Sequence, residues 1–155
     1  MPSPALVDAR KSTTVEVAAS AYDERTSGKG CSPDGCIPEN NRDKSLSNNS
    51  RWSCKGDVID GHDEGCSIEY YFDEPQDIVT IRIAFYEGTK RTRTLNVFDK
   101  GAYHSQIQSS GETDRYQTFY LDIDNTEELR LYLDDWESNS DVWLSLKEVS
   151  RKRGA

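Results

Sequence analysis

Hydrophobic and polar side chains alternate along most of this chain, and a period of two residues predicts β-strands. The clearest alternation lies in the segment 77–88, where the side chains predicted to face the core are Val79, Ile81, Ile83 and Phe85. Seven further segments show the same pattern: 15–19, 67–74, 94–98, 104–111, 117–123, 128–135 and 142–149. No segment has the hydrophobic spacing of a helix of about ten residues or more. We therefore predict an all-β fold, an eight-stranded antiparallel β-sandwich or jelly roll.

The composition indicates a single folded domain with an aromatic core. Hydrophobic residues make up 34% of the 155 residues and charged ones 30%, but the chain carries three Trp, eight Tyr and four Phe. Disordered chains are poor in aromatic and β-branched residues, so this mixture favours a folded β-rich domain. We predict the domain at residues 13–150, between a linker or tail at 1–12 and a basic tail at 151–155.

A run of short, oxygen-bearing side chains extends from Pro38 to Ser53. It is rich in Asn, Asp and Ser, and Arg51 and Trp52 lie near its end. Two interpretations remain open: a loop folded around a hard cation, or a solvated loop whose polar side chains bond their own backbone. In both, Trp52 is expected to lie in the core, as is Trp143 in the last predicted strand.

The four cysteines form two close pairs in sequence, Cys31 with Cys36 and Cys54 with Cys66. A zinc site requires tighter spacings or nearby histidines, and His62 and His104 lie in unrelated segments. We therefore predict two disulfides, Cys31–Cys36 and Cys54–Cys66, and with them an oxidising compartment and a secreted or extracellular protein. Because the N-terminal segment has no apolar signal core, we expect a piece of a longer secreted protein.

The net charge of −9 restricts the partners of the chain. It disfavours binding to nucleic acid by bulk electrostatics, although it is compatible with a local basic site. The sequence has no run of about eighteen apolar residues, so we expect no membrane span. We also expect a monomer.

The order of several short motifs resembles that of a known family. Asn40-x-x-Asp43 is followed by SRWS at 50–53, IEYYF at 68–72, DEPQDIVTIRIAFYEG at 73–88 with Arg91 after it, and SLKEV at 145–149. This order resembles discoidin, or coagulation-factor 5/8 C-type, galactose-binding-like domains. More narrowly, it is similar to the carbohydrate-binding modules attached to secreted alginate lyases. The resemblance covers about residues 14–150 and implies an eight-stranded sandwich.

The same resemblance implies a structural calcium ion that ties the polar loop to the last strand. Its ligands would be backbone carbonyls, a serine hydroxyl and two carboxylates, supplied by Asn40, Asp43, Ser45, Ser50, Lys147 and Glu148. Calcium takes about six to eight oxygen ligands of these kinds. The interval between Asp43 and Ser50 is longer than in the simplest members of the family. Asn48 begins a glycosylation sequon, and a Ser50 that binds calcium would disfavour its occupancy.

A cluster of basic residues, Lys90, Arg91 and Arg93, marks the candidate ligand-binding site in this acidic chain. The side chains proposed to contact sugar, in part because of the resemblance, are Tyr86, Lys90, Arg91, Arg93, Trp136 and Asn139. Arginine binds carboxylates through paired hydrogen bonds and lysine adds a point charge, so the basic cluster suits uronate or sulfate groups of an anionic polysaccharide. Charges that protect a hairpin edge remain the alternative. Residues 141–146 read DVWLSL where relatives read NDWNSL, so two polar groups are missing there.

We expect from this pattern a noncatalytic carbohydrate-binding module that carries a larger secreted protein, with a fused catalytic domain, to an acidic polysaccharide such as alginate. One alternative is a small β-sandwich polysaccharide lyase, for which Tyr103 and His104 are the candidate pair. Another is a discoidin-like adhesion domain that binds a protein or cell surface. That function calls for apolar loop tips, and the loops here are polar.

Overall fold

Seven β-strands and one short 3-10 helix form the part of the chain that the computed structural model describes, residues 15–20, 22, 24, 26–28, 30–31, 34–42, 46–47, 50–55, 66–90, 92–133 and 143–153. The strands are β1 (Val15–Ala19), β2 (Trp52–Lys55), β3 (Ser67–Phe85), β4 (Thr94–Asp99), β5 (Ala102–Gln108), β6 (Tyr116–Leu133) and β7 (Trp143–Arg153). The 3-10 helix is Pro38–Arg42. All strand pairs are antiparallel.

Two long strands, β3 and β6, bend and contribute to both layers of the sandwich. In the first layer, β1 pairs with residues 68–72 of β3, and β4 pairs with residues 129–133 of β6 and with β5. In the second layer, β7 pairs with residues 78–85 of β3 and with β2. The two halves of β6 follow β3 through the bend, so one hydrogen-bonded sheet folds over on itself.

The bend of β3 and the bend of β6 are bonded to each other. The backbone N–H of Asn125 donates to the Asp77 carboxylate at 2.8 Å, and Asn125 has a positive φ of 54°. Register shifts occur between Tyr71 and Thr80. They change the phase of the strand, so Ile78 is fully buried and Val79, which the alternation predicted to face the core, is only half-buried. The prediction for Val79 is therefore wrong.

The core lies between the two layers and contains most of the side chains that the alternation predicted to face inward. Buried members include Ile81, Ile83, Phe85, Leu95, Val97, Leu129, Leu131, Leu133, Leu144 and Leu146. Trp52 is 0% exposed, which confirms its predicted place in the core. The side chain of Trp143 lies outside the described residues. Within the described ranges, no helix is long and apolar enough to cross a membrane.

The predicted fold class is confirmed, and the strands differ from prediction in number and length. Two predicted pairs of short strands are single bent strands, β3 and β6, and β2 is an additional strand. β7 continues to Arg153, into the segment that was predicted to be a basic tail. Both predicted disulfides are present, Cys31–Cys36 and Cys54–Cys66, and the second joins β2 to the residue before β3.

Candidate functional site

One end of the sandwich, which we call the loop end, brings together segments that are far apart in sequence. It carries the turn Tyr86–Lys90, the segment 109–115 and the first residues of β7. Two backbone hydrogen bonds hold these parts in place: Tyr86 N to Ser145 O at 2.9 Å and Ser109 N to Arg93 O at 2.9 Å. At the same end, Leu133 N bonds to Cys66 O at 2.8 Å. The bends of β3 and β6 lie at the opposite end, with the turn 99–101.

The turn Tyr86–Lys90 is clasped to the segment 109–115. The carboxylate of Asp114 accepts hydrogen bonds from the backbone N–H of Thr89 at 2.9 Å and from its hydroxyl at 3.3 Å. A Cβ atom at Gly88 would lie 2.4 Å from the carbonyl oxygen of Thr113, so only glycine permits this close approach. Glu87 has a positive φ of 52°, which is uncommon for a residue with a side chain. The turn is therefore held in one defined shape.

A buried polar cluster of Arg51, Ser53 and Ser145 packs against the first residue of the turn, Tyr86. The guanidinium of Arg51, which is 5% exposed, lies over the ring of Tyr86 at 4.1 Å from its centroid. Its Nε donates to the hydroxyl of Ser53 at 3.0 Å, and that hydroxyl lies 2.6 Å from the hydroxyl of Ser145. Cation–π contacts strengthen when they are shielded from water. Arg51 therefore holds one face of the Tyr86 ring, and Tyr86 remains half-buried.

Several charges surround Asp114. The backbone N–H of Thr89 holds the pKa of Asp114 below its usual value, and the positive charges of Lys147 and Lys90 act in the same direction. Lys147 is 5% exposed, and burial lowers its pKa; the carboxylate of Asp114 opposes this shift and Arg115 adds to it. The carboxylate of Asp114 thus accepts hydrogen bonds from Thr89 and also feels the positive charges of Lys147 and Lys90. The next residue, Arg115, adds a third positive charge to this part of the acidic chain.

Solved structures with the same fold are available for comparison, although no protein-family model and no curated protein sequence matches the chain. The CBM32 of AlyQ, in complex with 4,5-unsaturated mannuronic acid, is 25% identical, with a TM-score of 0.66 over 88% of this chain and 93% of that one. A pectin-binding carbohydrate-binding module is 18% identical, with a TM-score of 0.68 over 90% of this chain and 91% of that one.

The chain has the fold of CBM32 carbohydrate-binding modules. A truncated AlyQ that contains CBM32 and alginate lyase domains also matches, at 23% identity and a TM-score of 0.66, over 92% of this chain and 34% of that one. The predicted resemblance to galactose-binding-like carbohydrate-binding modules is therefore confirmed.

The described members of the predicted sugar-binding set meet at the loop end. Lys90 is exposed and pairs with Glu87 at 3.8 Å, and Tyr86 is half-buried above Arg51. Arg93 is half-buried, and its backbone N–H donates to the Ser109 hydroxyl at 2.7 Å. The other three predicted members, Arg91, Trp136 and Asn139, lie outside the described residues.

Of the described members of the predicted calcium set, Asn40 lies in the 3-10 helix, Ser50 lies two residues before β2, and Lys147 and Glu148 lie on β7. Arg42, the last residue of the 3-10 helix, donates to the Val149 carbonyl at 3.1 Å, which holds that helix against β7. Glu148 is 3% exposed, and a buried carboxylate requires compensating positive charge or hydrogen-bond donors.

The side-chain amide of Asn40 donates to the carbonyls of Gly35 and Arg51 at 3.0 and 3.1 Å, which leaves the backbone carbonyl of Asn40 as its predicted ligand atom. Asp43 and Ser45 lie outside the described residues. Among the described residues, no group of three His, Cys, Asp or Glu side chains is placed to hold a metal. The donors that are described, carbonyls with one serine and one buried carboxylate, suit calcium rather than zinc.

The candidate lyase pair lies away from the loop-end cluster. Tyr103 is 60% exposed on β5 and packs its ring edge against Phe98, with the ring centroids 5.9 Å apart. His104 Nδ1 lies 2.8 Å from the hydroxyl of Ser105. Within the described residues, neither side chain is hydrogen-bonded to an arginine. This arrangement does not favour the lyase alternative.

Three residues of the loop end were not predicted as site residues: Arg51, Asp114 and Arg115. A fourth, Lys147, was predicted only for its backbone carbonyl and not for its side chain. Arg51 was visible only as a neighbour of Trp52, and Lys147 only as a backbone ligand of calcium. They meet because β2, β7 and the segment 109–115 converge, which no local pattern in the sequence reports.

Proposed function

We propose that this chain is a noncatalytic carbohydrate-binding module that binds an acidic polysaccharide such as alginate at the loop end. The observation that carries the proposal is the clasped turn Tyr86–Lys90, with Arg115 next to the residue that clasps it and Lys147 on β7 beside its base, in a chain with the CBM32 fold. A relative with this fold was solved with 4,5-unsaturated mannuronic acid, which is an acidic sugar.

The chemistry of the loop end suits a carboxylated sugar chain. Ammonium and guanidinium groups form charge-assisted hydrogen bonds with carboxylates, and these are stronger than bonds between neutral groups. The rigid turn lowers the entropic cost of binding because its backbone is already fixed. Exposed cations such as Lys90 are screened by salt, so binding is weak to moderate and salt-sensitive.

Calcium has a structural part in this proposal. The ion is bound by Asn40, Asp43, Ser45, Ser50, Lys147 and Glu148. Asn40, Ser45 and Lys147 contribute backbone carbonyls, Ser50 its carbonyl and hydroxyl, and the two acidic residues their carboxylates. The ion neutralises the buried Glu148 carboxylate and ties the polar loop to β7. Arg51 and Ser53, which support Tyr86, lie at the end of this loop, so calcium stabilises the residues beneath the binding site.

The module acts as part of a larger secreted protein. Two disulfides suit an oxidising compartment, and a related CBM32 domain occurs in one protein with an alginate lyase domain. The module holds that protein at its polysaccharide and takes no part in bond cleavage.

Removal of the basic cluster Lys90, Arg91 and Arg93 tests the proposed function. We expect the combined variant Lys90→Ala, Arg91→Ala and Arg93→Ala to bind alginate roughly tenfold more weakly at low salt, because each exposed ion pair contributes up to about 1 kcal/mol. The salt dependence of binding is expected to flatten as well. Affinity electrophoresis in alginate gels at two ionic strengths measures both effects.

A charge-matched control is available at the opposite end of the sandwich. Lys100 lies in the turn 99–101 there, and Lys152 and Arg153 lie on the far part of β7, opposite Thr80 and Ile78. Replacing these three with alanine removes the same charge and is expected to leave binding within about twofold. Equal losses in both triple variants would show that net charge, not the loop end, determines binding. Ultraviolet detection of unsaturated uronate product checks that the wild-type protein does not cleave alginate.

A further inference from the structure

Lys147 is a nearly buried lysine whose ammonium group makes no hydrogen bond or ion pair with the residues that the structure describes. Only 5% of the residue is exposed. The fully enclosed polar side-chain atoms that lack a partner there are Asp99 Oδ1, Gln117 Nε2 and Arg130 Nε. Lys147 Nζ is not among them, so its tip still meets solvent while its aliphatic stem is packed.

The position of this ammonium is at the base of the loop end. Lys147 is the extra residue where the β3–β7 register shifts, between the pairs Ala84–Glu148 and Phe85–Leu146. A β-bulge re-aims side chains out of the regular alternation of a strand. Phe85 directly precedes the turn Tyr86–Lys90, and Tyr86 N bonds to the carbonyl of Ser145, two residues before Lys147, so the bulge lies beside the base of that turn. The positive charge of Lys147 also lowers the pKa of Asp114.

The carboxylate of Asp114, whose negative charge acts on Lys147, is already engaged. Asp114 accepts two hydrogen bonds from Thr89, and it does not form an ion pair with Lys147. The second neighbour of Lys147 is Arg115, whose charge is of the same sign. The Lys147 ammonium therefore has two charged neighbours: Asp114, which already accepts two hydrogen bonds, and Arg115, which is positive. Part of its positive charge is left uncompensated.

We propose that the side chain of Lys147 is the specificity-determining anion contact of the site and binds the carboxylate of a uronate residue. This inference rests on the proposed function, and it identifies the group that distinguishes acidic from neutral sugars. Because the stem of Lys147 is already packed, binding orders little additional side chain, whereas the exposed Lys90 loses side-chain freedom. Because Lys147 is shielded, its attraction for an anion is screened less by salt.

The substitution Lys147→Met tests the inference, since it keeps the length and packing of the stem and removes the charge. The backbone carbonyl of residue 147, a member of the proposed calcium set, stays in place. We expect the affinity for trimannuronate, measured by titration calorimetry, to fall about 10- to 100-fold, the usual range for a lost hydrogen bond to a charged group. Most of this loss is expected to persist at high salt, in contrast to the loss caused by removing the basic cluster.

A stability measurement separates binding from a structural role. An unpaired buried cation is costly, so the unliganded Lys147→Met protein is expected to unfold at the same or a higher temperature than wild type. Lys147→Gln serves as a second neutral variant with the same expected loss of binding. Lys100→Met is the matched control, since Lys100 is exposed and donates to the Asn125 carbonyl at 3.1 Å at the other end.

The possible outcomes separate this inference from the proposed function. Wild-type affinity in Lys147→Met, with wild-type protein binding trimannuronate normally, would overturn the inference and leave the proposed function standing. Failure of the wild-type protein to bind trimannuronate or trigalacturonate would overturn both. Unfolding of both neutral variants would assign Lys147 a structural role and also overturn the inference. A selective loss of acidic sugars from folded variants supports it.

Discussion

Replacing Trp52 with alanine is expected to lower the free energy of unfolding by roughly 3 to 5 kcal/mol, the usual cost of removing a fully buried tryptophan. Trp52 is 0% exposed, and β2 pairs it with Leu146 of β7. Small domains have a total stability of about 5 to 15 kcal/mol, so this change removes a large share of it. Urea denaturation at 25 °C measures the loss.

The same variant links the core to the binding site. Arg51 and Ser53 flank Trp52 and support the turn Tyr86–Lys90, so their positions depend on its packing. Tyr120→Ala is the control, because Tyr120 is 69% exposed and its removal is expected to change stability by about 0.5 kcal/mol or less. A loss below about 1 kcal/mol for Trp52→Ala would contradict the assignment of Trp52 as the anchor of the polar loop.

Removal of calcium is expected to produce the second large effect. An ion that binds only the folded state stabilises it by about 2.7 kcal/mol at 100 times its dissociation constant. For a domain of this size, that difference shifts the unfolding temperature by roughly 5 to 10 °C. Differential scanning calorimetry with excess calcium and with a chelator measures the shift.

Glu148→Gln tests whether the predicted ligands are responsible. The substitution keeps the shape of the 3% exposed side chain and removes its charge, so the difference between calcium and chelator is expected to shrink or vanish. Magnesium, which prefers a rigid octahedral shell with several waters, is expected to replace calcium poorly. Identical unfolding curves of the wild-type protein in calcium and in chelator would count against the calcium site.

Alternation in the sequence was sufficient to predict the fold where strands are regular. The side chains of Leu129, Leu131 and Leu133 follow a strict period of two, and all three are buried as predicted. A strand with one buried face must present its apolar side chains at every second position, so its register is determined by the pattern. This is why the sandwich was predictable without any long-range information.

The bends were not predictable because they interrupt that period. Register shifts in β3 exchange the places of Ile78 and Val79, and a period of two contains no signal for where a strand skips a residue. Strand β2 was missed because it has four residues, Trp52–Lys55, inside a polar segment. Its pairing with β7 gives it a place in the sheet that its own composition does not indicate.

The candidate site was predicted in part, for a similar reason. Lys90 and Arg93 stand out in the sequence because they form a basic cluster in an acidic chain. Lys147 does not, because a lysine on a strand is ordinarily exposed. Its burial and its proximity to Asp114 arise from the meeting of β7 with a segment about thirty residues earlier in the chain.

A residue-by-residue map of sugar binding by nuclear magnetic resonance tests most directly whether sugar binds at the loop end. The backbone amide signals of ¹⁵N-labelled, calcium-loaded protein are followed while trimannuronate is added. Binding at the loop end predicts the largest shifts in the turn Tyr86–Lys90, in the segment 109–115 and at Lys147, with little change at 99–101 and 122–125. Shifts concentrated at those last two segments, or no shifts at saturating sugar, would contradict the account.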